Sequence, residues 1–307
     1  MITKIKHLII GGGISGVIAS EILGDSLIIE RASFLGGEMT NNILGPKMYH
    51  DTPSTRNFFR KYVMSTSTIR STTILDGKEC TDKKAYDKKI GYSFKNSQNS
   101  SLKQFSSLNL DLEPLYENQN ALLSSNVIKI DISKKLVYVL CNKAICIIQY
   151  DYLISTIDYE LFLRLCDLKN DIELKKRGVL YYNFKGDYKQ EFQHLNDYNF
   201  WYNLTNDEFF RCTNLSKKEH TLELFTENSI NIVEQVSKYF DSITDALVYY
   251  NPSAKIWTKT ANFIKCNKFS EANIYLLGRN ALYNHDRIQD SIDTAYMISK
   301  EIKGETL

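Results

Sequence analysis

The sequence predicts an α/β fold in two parts, a unit of parallel strands and helices and a smaller domain rich in β-strands. Two observations predict it. Seven of the 14 glycines fall within residues 1–37, where an apolar run, a glycine turn, a helical pattern and a second apolar run follow one another. Between residues 126 and 226, β-branched and aromatic runs alternate with polar turns, which is strand and hairpin patterning. The chain has 307 residues, 43% of them hydrophobic, enough for a sizeable core. Thirty-eight basic residues against 36 acidic ones leave a net charge of +2. Such a balance lacks the broad positive footprint of a nucleic-acid binder, so no nucleic-acid partner is expected. No apolar run approaches the ~20 residues of a membrane span. Six cysteines (80, 141, 146, 166, 212 and 266) form no CxxC and no metal-binding spacing. Free thiols in a reducing, cytoplasmic setting are expected, with no metal site.

The elements follow in order. Residues 5–10 (IKHLII) read as a buried strand. Residues 14–23 (ISGVIASEIL) read as a helix, with Ile14, Val17, Ile18 and Ile22 at helical spacing and Gly24 as its stop. Residues 26–30 (SLIIE) form the next strand, apolar on both faces as in a parallel sheet. Lys4 and Lys6 before an apolar stretch resemble a secretory leader, but the glycine cluster breaks its apolar region and none is expected. Residues 66–119 are polar with no strong period and predict an exposed insert or loop. Residues 126–150 predict a β-hairpin, 152–156 a strand and 159–177 a helix. Residues 178–226 predict an antiparallel sheet, 229–250 a helix, 274–277 a short strand and 286–302 a final amphipathic helix.

Gly11-Gly12-Gly13-Ile14-Ser15-Gly16 is a GxGxxG placed between the first strand and the first helix, and Glu30 ends the next strand 19 residues after Gly11. That context is the Rossmann-like dinucleotide fingerprint. Gly11 permits the tight turn, Gly13 lets a pyrophosphate approach the backbone, and Gly16 lets the helix pack on the strand. The helix N-terminus, at Ile14 and Ser15, offers N–H donors and the positive end of its dipole to phosphate. The Glu30 carboxylate accepts hydrogen bonds from ribose hydroxyls.

Glu30 is followed by RASFLGGEMT, which contains Gly36-Gly37. Here the sequence resembles the FAD-binding superfamily of amine oxidases, protoporphyrinogen oxidases and UDP-galactopyranose mutases, with its GR2-type Rossmann-like domain. That group shows an acidic residue, a short spacer and Gly-Gly after its second strand. The resemblance implies contacts to FAD from Arg31, Gly37 and Glu38 as well as the first glycine motif. Glu38 stands where the oxidase branch commonly has arginine. Gly45-Pro46-Lys47-Met48-Tyr49-His50 is similar to the mutase segment that runs beside the isoalloxazine, and implies that His50 faces the flavin. SNVIKID (125–131) and YDYLISTID (150–158) resemble the family's hairpin strand and return strand, which implies an adenine contact at Val127. Asp158 replaces the usual proline there. The segment Phe200 to Arg211 resembles the strand pair that brings an arginine to the active site, where in the mutases it holds the substrate diphosphate. Ile274-Tyr275-Leu276-Leu277-Gly278-Arg279, followed by Tyr283, Asp286 and a helix, resembles the family's terminal segment. It implies flavin contacts at Gly278, Arg279, Asp286 and Ile288, with Tyr283 on the substrate side.

The expectation is therefore an FAD-binding domain from residues 1–65, 120–158 and 262–307, and a β-rich substrate domain from 66–119 and 159–261. No His or Cys sits in a recognised linkage motif, so the FAD is expected to be non-covalent. The leading expected activity is an FAD-dependent oxidoreductase that moves a hydride from a small-molecule substrate to flavin N5, with His50, Arg211 and Tyr283 at the reacting centre. Two alternatives stay open: a redox-neutral mutase acting on an anionic nucleotide sugar, and a non-catalytic FAD-binding protein. A nicotinamide dehydrogenase leaves Gly36-Gly37 and the terminal Gly-Arg segment unexplained.

Overall fold

A computed structural model describes residues 2–40, 48–90, 103–169, 176–205, 209–226, 231–257, 269, 272–282 and 287–305. Its first elements are β1 (Ile2–Ile10), α1 (Ile14–Leu23), β2 (Ser26–Ile29), β3 (Tyr49–His50) and α2 (Pro53–Phe58). Then come β4 (Val63–Leu75), β5 (Lys78–Glu79), α3 (Lys83–Ile90), β6 (Lys103–Leu110) and α4 (Glu113–Glu117). The central run is β7 (Ala121–Leu122), β8 (Asn126–Asp131), β9 (Leu136–Cys141), β10 (Ala144–Ser155), α5 (Tyr159–Leu165) and β11 (Lys176–Tyr188). The last part holds β12 (Phe200–Asn203), β13 (Arg211–Asn214), β14 (Glu219–Phe225), α6 (Ile232–Tyr239) and β15 (Phe240–Trp257). It closes with β16 (Ile274–Leu276), α7 (Arg279–Leu282) and α8 (Ile288–Lys303).

Two sheets organise these elements. The first runs β7-β2-β1-β10-β9-β8, with β16 on the far half of β10. β1 pairs in parallel with both β2 and β10, and β10 pairs in parallel with β16. The near half of β10 instead pairs antiparallel with β9, so one strand serves both the parallel sheet and the hairpin. Alternation along β1 sends Leu8 and Ile10 to one face and Ile9 to the other. Leu8 and Ile10 pack with Leu27, Leu153, Tyr159, Phe162 and Leu276. Ile9 packs with Val17 and Ile18 of α1, Ile292 and Ala295 of α8, and Tyr49, Phe59 and Leu108. Burying both faces explains why the strands read as continuous apolar runs. Helix α1 has the predicted bounds, and Gly24 at its end has φ 60°.

The second sheet runs β15-β11-β14-β13-β12-β4-β6-β3, with β5 paired to β4. One of its faces holds Trp201, Phe184, Tyr188, Leu222 and Phe240 in a common core with Val236 and Tyr239 of α6.

Three elements differ from the sequence expectation. Residues 66–75 and 103–110, expected within an insert without period, lie in β4 and β6, which pair antiparallel. The run STSTIRSTT has threonine's preference for strands without an apolar alternation, so periodicity does not reveal it. The helix expected over 159–177 ends at Leu165, where Cys166 caps it and Asp167 turns to φ 56°. The helix expected over 229–250 ends at Tyr239. From Phe240 onward the chain pairs with β11, Tyr188 opposite Phe240 and Tyr182 opposite Val248. The Phe240 ring meets that of Phe184 edge-on at 4.8 Å, a tertiary contact that outweighs local helical spacing.

Candidate functional site

The carboxyl ends of β1, β10 and β16 converge on Gly11, Thr156 and Gly278. In open parallel sheets this edge is where ligands bind. The Gly11 N–H donates to the Ile29 carbonyl at 2.9 Å. A side chain at Gly16 would lie 2.0 Å from the Gly11 carbonyl oxygen, so only glycine lets α1 approach its own entry turn. Gly13 differs, because among the described residues a Cβ there would meet nothing within 4 Å. Gly13 also starts α1 with no side chain capping the first turn. Its N–H groups, those of Ile14 and Ser15 among them, need an acceptor from outside the helix. An anion at that open position supplies one.

Glu30 is fixed by the backbone. Its Oε2 accepts the Gly12 N–H at 2.6 Å and its Oε1 accepts the Ala32 N–H at 2.7 Å. Each carboxylate oxygen retains a further lone pair for a hydroxyl. The Gly36 N–H donates to the Gly12 carbonyl at 2.7 Å, and Gly37 lies against Gly13, 3.3 Å from its Cα to a Cβ built on Gly37. The second glycine pair thus folds over the first. Arg31 is exposed, Glu38 lies in the short 3-10 turn Gly37–Thr40, and Val127 is buried in β8.

Gly278 has φ +87°, and a Cβ there would stand 2.6 Å from Ser15 Oγ. Ser15 Oγ lies 3.1 Å from Ser291 Oγ in α8. The start of α1, the loop after β16 and the first turn of α8 therefore meet at one point. Arg279 begins α7 and Ile288 begins α8. The Arg287 N–H donates to Asp290 Oδ2 at 2.6 Å. Tyr283, Asp286 and Gly45 to Lys47 lie outside the described residues.

His50, half-buried at the edge of the second sheet, stacks on Phe105 with ring centroids 4.4 Å apart and planes inclined by 28°. Burial, and next the positive charge of Arg287, lower its pKa below the usual histidine value. The imidazole is therefore neutral at neutral pH, and the charge of the residue that opens α8 reaches it.

Arg211 lies elsewhere on this face. Register puts Tyr249, Tyr181, Glu223, Arg211, Tyr202 and Thr73 in one row across six strands. Alternation along β4 carries the same face to Ser67, then across β6 to Ser107 and His50. Four strand steps of about 4.8 Å separate the strands of Arg211 and His50. The sheet holds the two residues on one face without placing them side by side. Arg211 Nε and Nη2 donate to the two oxygens of Glu223 at 2.5 and 2.6 Å, and its guanidinium carbon stands 5.9 Å from the centre of the Tyr202 ring. Thus Glu223, 3% exposed, already engages the planar fork expected to receive an anionic substrate.

Sequence reasoning missed Glu223, Phe105 and Ser291. One signal for Glu223 was available: in the alternation of EHTLELF (219–225) it falls between Leu222 and Leu224 and so on the face opposite them. Phe105 and Ser291 carried no such signal, since their neighbours come from other elements. Among the described residues, no group of His, Cys, Asp and Glu could hold a metal ion. Among them too, no helix is long and apolar enough to cross a membrane, and Cys80, Cys141, Cys146, Cys166 and Cys212 are free thiols.

No protein-family model matches the chain, and no curated protein matches it. Solved structures do. Reduced UDP-galactopyranose mutase superposes with a TM-score of 0.74 at 14% identity, over 98% of this chain and 96% of that one. A flavoprotein/dehydrogenase from Cytophaga hutchinsonii gives 0.59 at 11% identity, over 99% and 80%. The chain has the Rossmann-like fold of the FAD-binding flavoenzymes. A CLA-producing fatty acid isomerase from P. acnes gives 0.63 at 11% identity, over 97% and 98%. The glycine cradle, the open position at Gly13 and the backbone-held Glu30 fit the adenosine and pyrophosphate groups of FAD.

Proposed function

We propose that the chain is an FAD-dependent oxidoreductase acting on a small molecule. The observation that carries this reading is the cradle itself: a glycine whose side-chain direction is open, at an uncapped helix start, beside a carboxylate held by two backbone N–H groups. In this reading Gly11, Gly13, Ile14, Ser15 and Gly16 surround the pyrophosphate of a non-covalent FAD. Glu30 accepts from the ribose, and Arg31, Gly37, Glu38 and Val127 line the adenosine end. Gly278, Arg279, Asp286 and Ile288 lie along the flavin end. When bound, the flavin supplies a hydride acceptor at N5. Neutral His50, held on Phe105, accepts a proton at its free ring nitrogen. Arg211 and Tyr283 face the substrate. The FAD domain comprises 1–65, 120–158 and 262–307, and the substrate domain the remainder.

A second reading is a redox-neutral mutase acting on a nucleotide sugar. The likeness to reduced UDP-galactopyranose mutase over nearly its whole length favours it. The engagement of Arg211 by Glu223 weighs against it, because a diphosphate needs that fork. One experiment separates the readings. The purified protein is examined for the visible absorption of flavin, then offered an amine panel in air and, separately, UDP-galactopyranose with dithionite. Peroxide from an amine supports the oxidoreductase, and isomerisation only after reduction supports the mutase. Flavin without turnover points to a non-catalytic FAD-binding protein, and no flavin sinks all three.

A further inference from the structure

Arg211 has five N–H donors, and Glu223 takes two of them. The two charges cancel locally. A phosphate brought to the outer edge of the guanidinium would also face the buried Glu223 carboxylate within a few ångströms, and like charges so placed repel. The remaining donors suit neutral oxygen acceptors instead. Tyr202 and Arg211 lie opposite each other across β12 and β13, Tyr181 lies opposite Glu223, and Tyr249 extends the row onto β15. Val179 and Phe225 lie beside this row on the same face and pack with Tyr181 and Phe210, with Tyr86, Tyr202 and Tyr249 against them. The Tyr86 and Tyr202 rings meet edge-on at 5.2 Å. Aromatic faces with hydroxyl tips beside a neutralised guanidinium match a flat, uncharged ring bearing hydroxyl groups.

We infer that Glu223 is a specificity-determining residue: by occupying the fork of Arg211 it excludes phosphates and diphosphates and makes this face of the second sheet a site for an uncharged, hydroxyl-bearing ring. The inference deepens the oxidoreductase reading and rests on its placing of Arg211 toward the substrate. It names the substrate class, and an anionic nucleotide sugar is not in it.

The test is calorimetric titration of the flavin-loaded protein with two probes at one ionic strength, UDP and phenyl β-D-galactopyranoside. Wild type is expected to bind the uncharged glycoside at least about ten-fold more tightly than UDP, the scale of one unfavourable charge contact. Glu223→Gln keeps the shape of the side chain but removes its charge, and is expected to gain at least about ten-fold in UDP affinity. UDP bound by wild type as tightly as the glycoside, or no gain in the variant, overturns the inference, and so does the binding of neither probe by wild type. If Glu223→Gln does not fold, the order of the two probes on wild type decides. Flavin content is read separately by absorbance. A protein without flavin therefore defeats the flavoenzyme reading, whereas a flavin-loaded protein that prefers UDP defeats only this inference.

Discussion

The Gly12 N–H donates to Glu30 Oε2 at 2.6 Å, tying the glycine turn after β1 to the end of β2. Because Ala32 holds the other oxygen at 2.7 Å, the carboxylate is oriented before any ligand arrives. Such preorganisation lowers the ordering cost of binding. Glu30→Ala removes two hydrogen bonds to a charged acceptor, each worth about 1.5–3 kcal/mol. Both the melting temperature without added flavin and the flavin affinity by fluorescence titration are expected to fall. A loss of affinity with unchanged stability would show that the two backbone bonds carry no weight.

Gly13→Val tests the cradle more cleanly. Among the described residues the new side chain meets no atom within 4 Å of its Cβ, and Gly13 already has φ −64°. The variant is expected to fold and to purify without flavin, with circular dichroism like that of wild type. Flavin occupancy equal to wild type would place the pyrophosphate elsewhere.

Gly16→Ala is expected to act on the fold instead. Its Cβ would stand 2.0 Å from the Gly11 carbonyl, so α1 must move off β1. Overpacking of this kind costs about 1–3 kcal/mol or more. The urea midpoint should fall whether or not flavin is present, which distinguishes this variant from Gly13→Val.

Arg211→Met leaves Glu223 as a buried carboxylate without its partner. Breaking a buried pair from one side costs about 3–5 kcal/mol. Arg211→Lys keeps the charge but loses the two parallel bonds, and is expected to fall between wild type and Arg211→Met in urea denaturation. Equal stability of all three proteins would mean that the pair contributes nothing to the second sheet.

His220 gives a pH dependence. It is fully buried, with Nδ1 2.9 Å from Asn214 Oδ1 and Nε2 3.1 Å from the Gly186 carbonyl. Burial lowers its pKa to about 4, although the Gly186 carbonyl and Asp187 act in the opposite sense. The unfolded chain protonates this histidine near its ordinary value, at a pH where the folded chain does not. Its contribution is therefore present above about pH 6.5 and is lost as the pH falls from there toward 4. Urea midpoints measured across that window should drop more steeply for wild type than for His220→Gln. Parallel pH profiles would assign the acid sensitivity to other groups.

The βαβ unit was legible in the sequence because each of its signals is local. The apolar runs of β1 and β2, the spacing of Ile14, Val17, Ile18 and Ile22, the glycine turn and Glu30 all lie within 30 residues, and Gly24 ends the helix where its backbone freedom is needed. The second sheet was legible only in part. β11 to β14 have aromatic and β-branched alternation, but β4 is a strand of serines and threonines, whose polar side chains leave no period to read. Tertiary structure decided the rest. It made β10 one strand with an antiparallel partner for its near half and parallel partners along its length. It turned residues 240–250 from an expected helix into part of an edge strand, since hydrogen bonds to β11 and the packing of Phe240 exceed a weak local preference. It also joined Arg211 to Glu223, Ser15 to Ser291 and His50 to Phe105. Those pairs are separated by 12, 276 and 55 positions in the chain, and only the pairing of strands and the docking of helices bring them within contact.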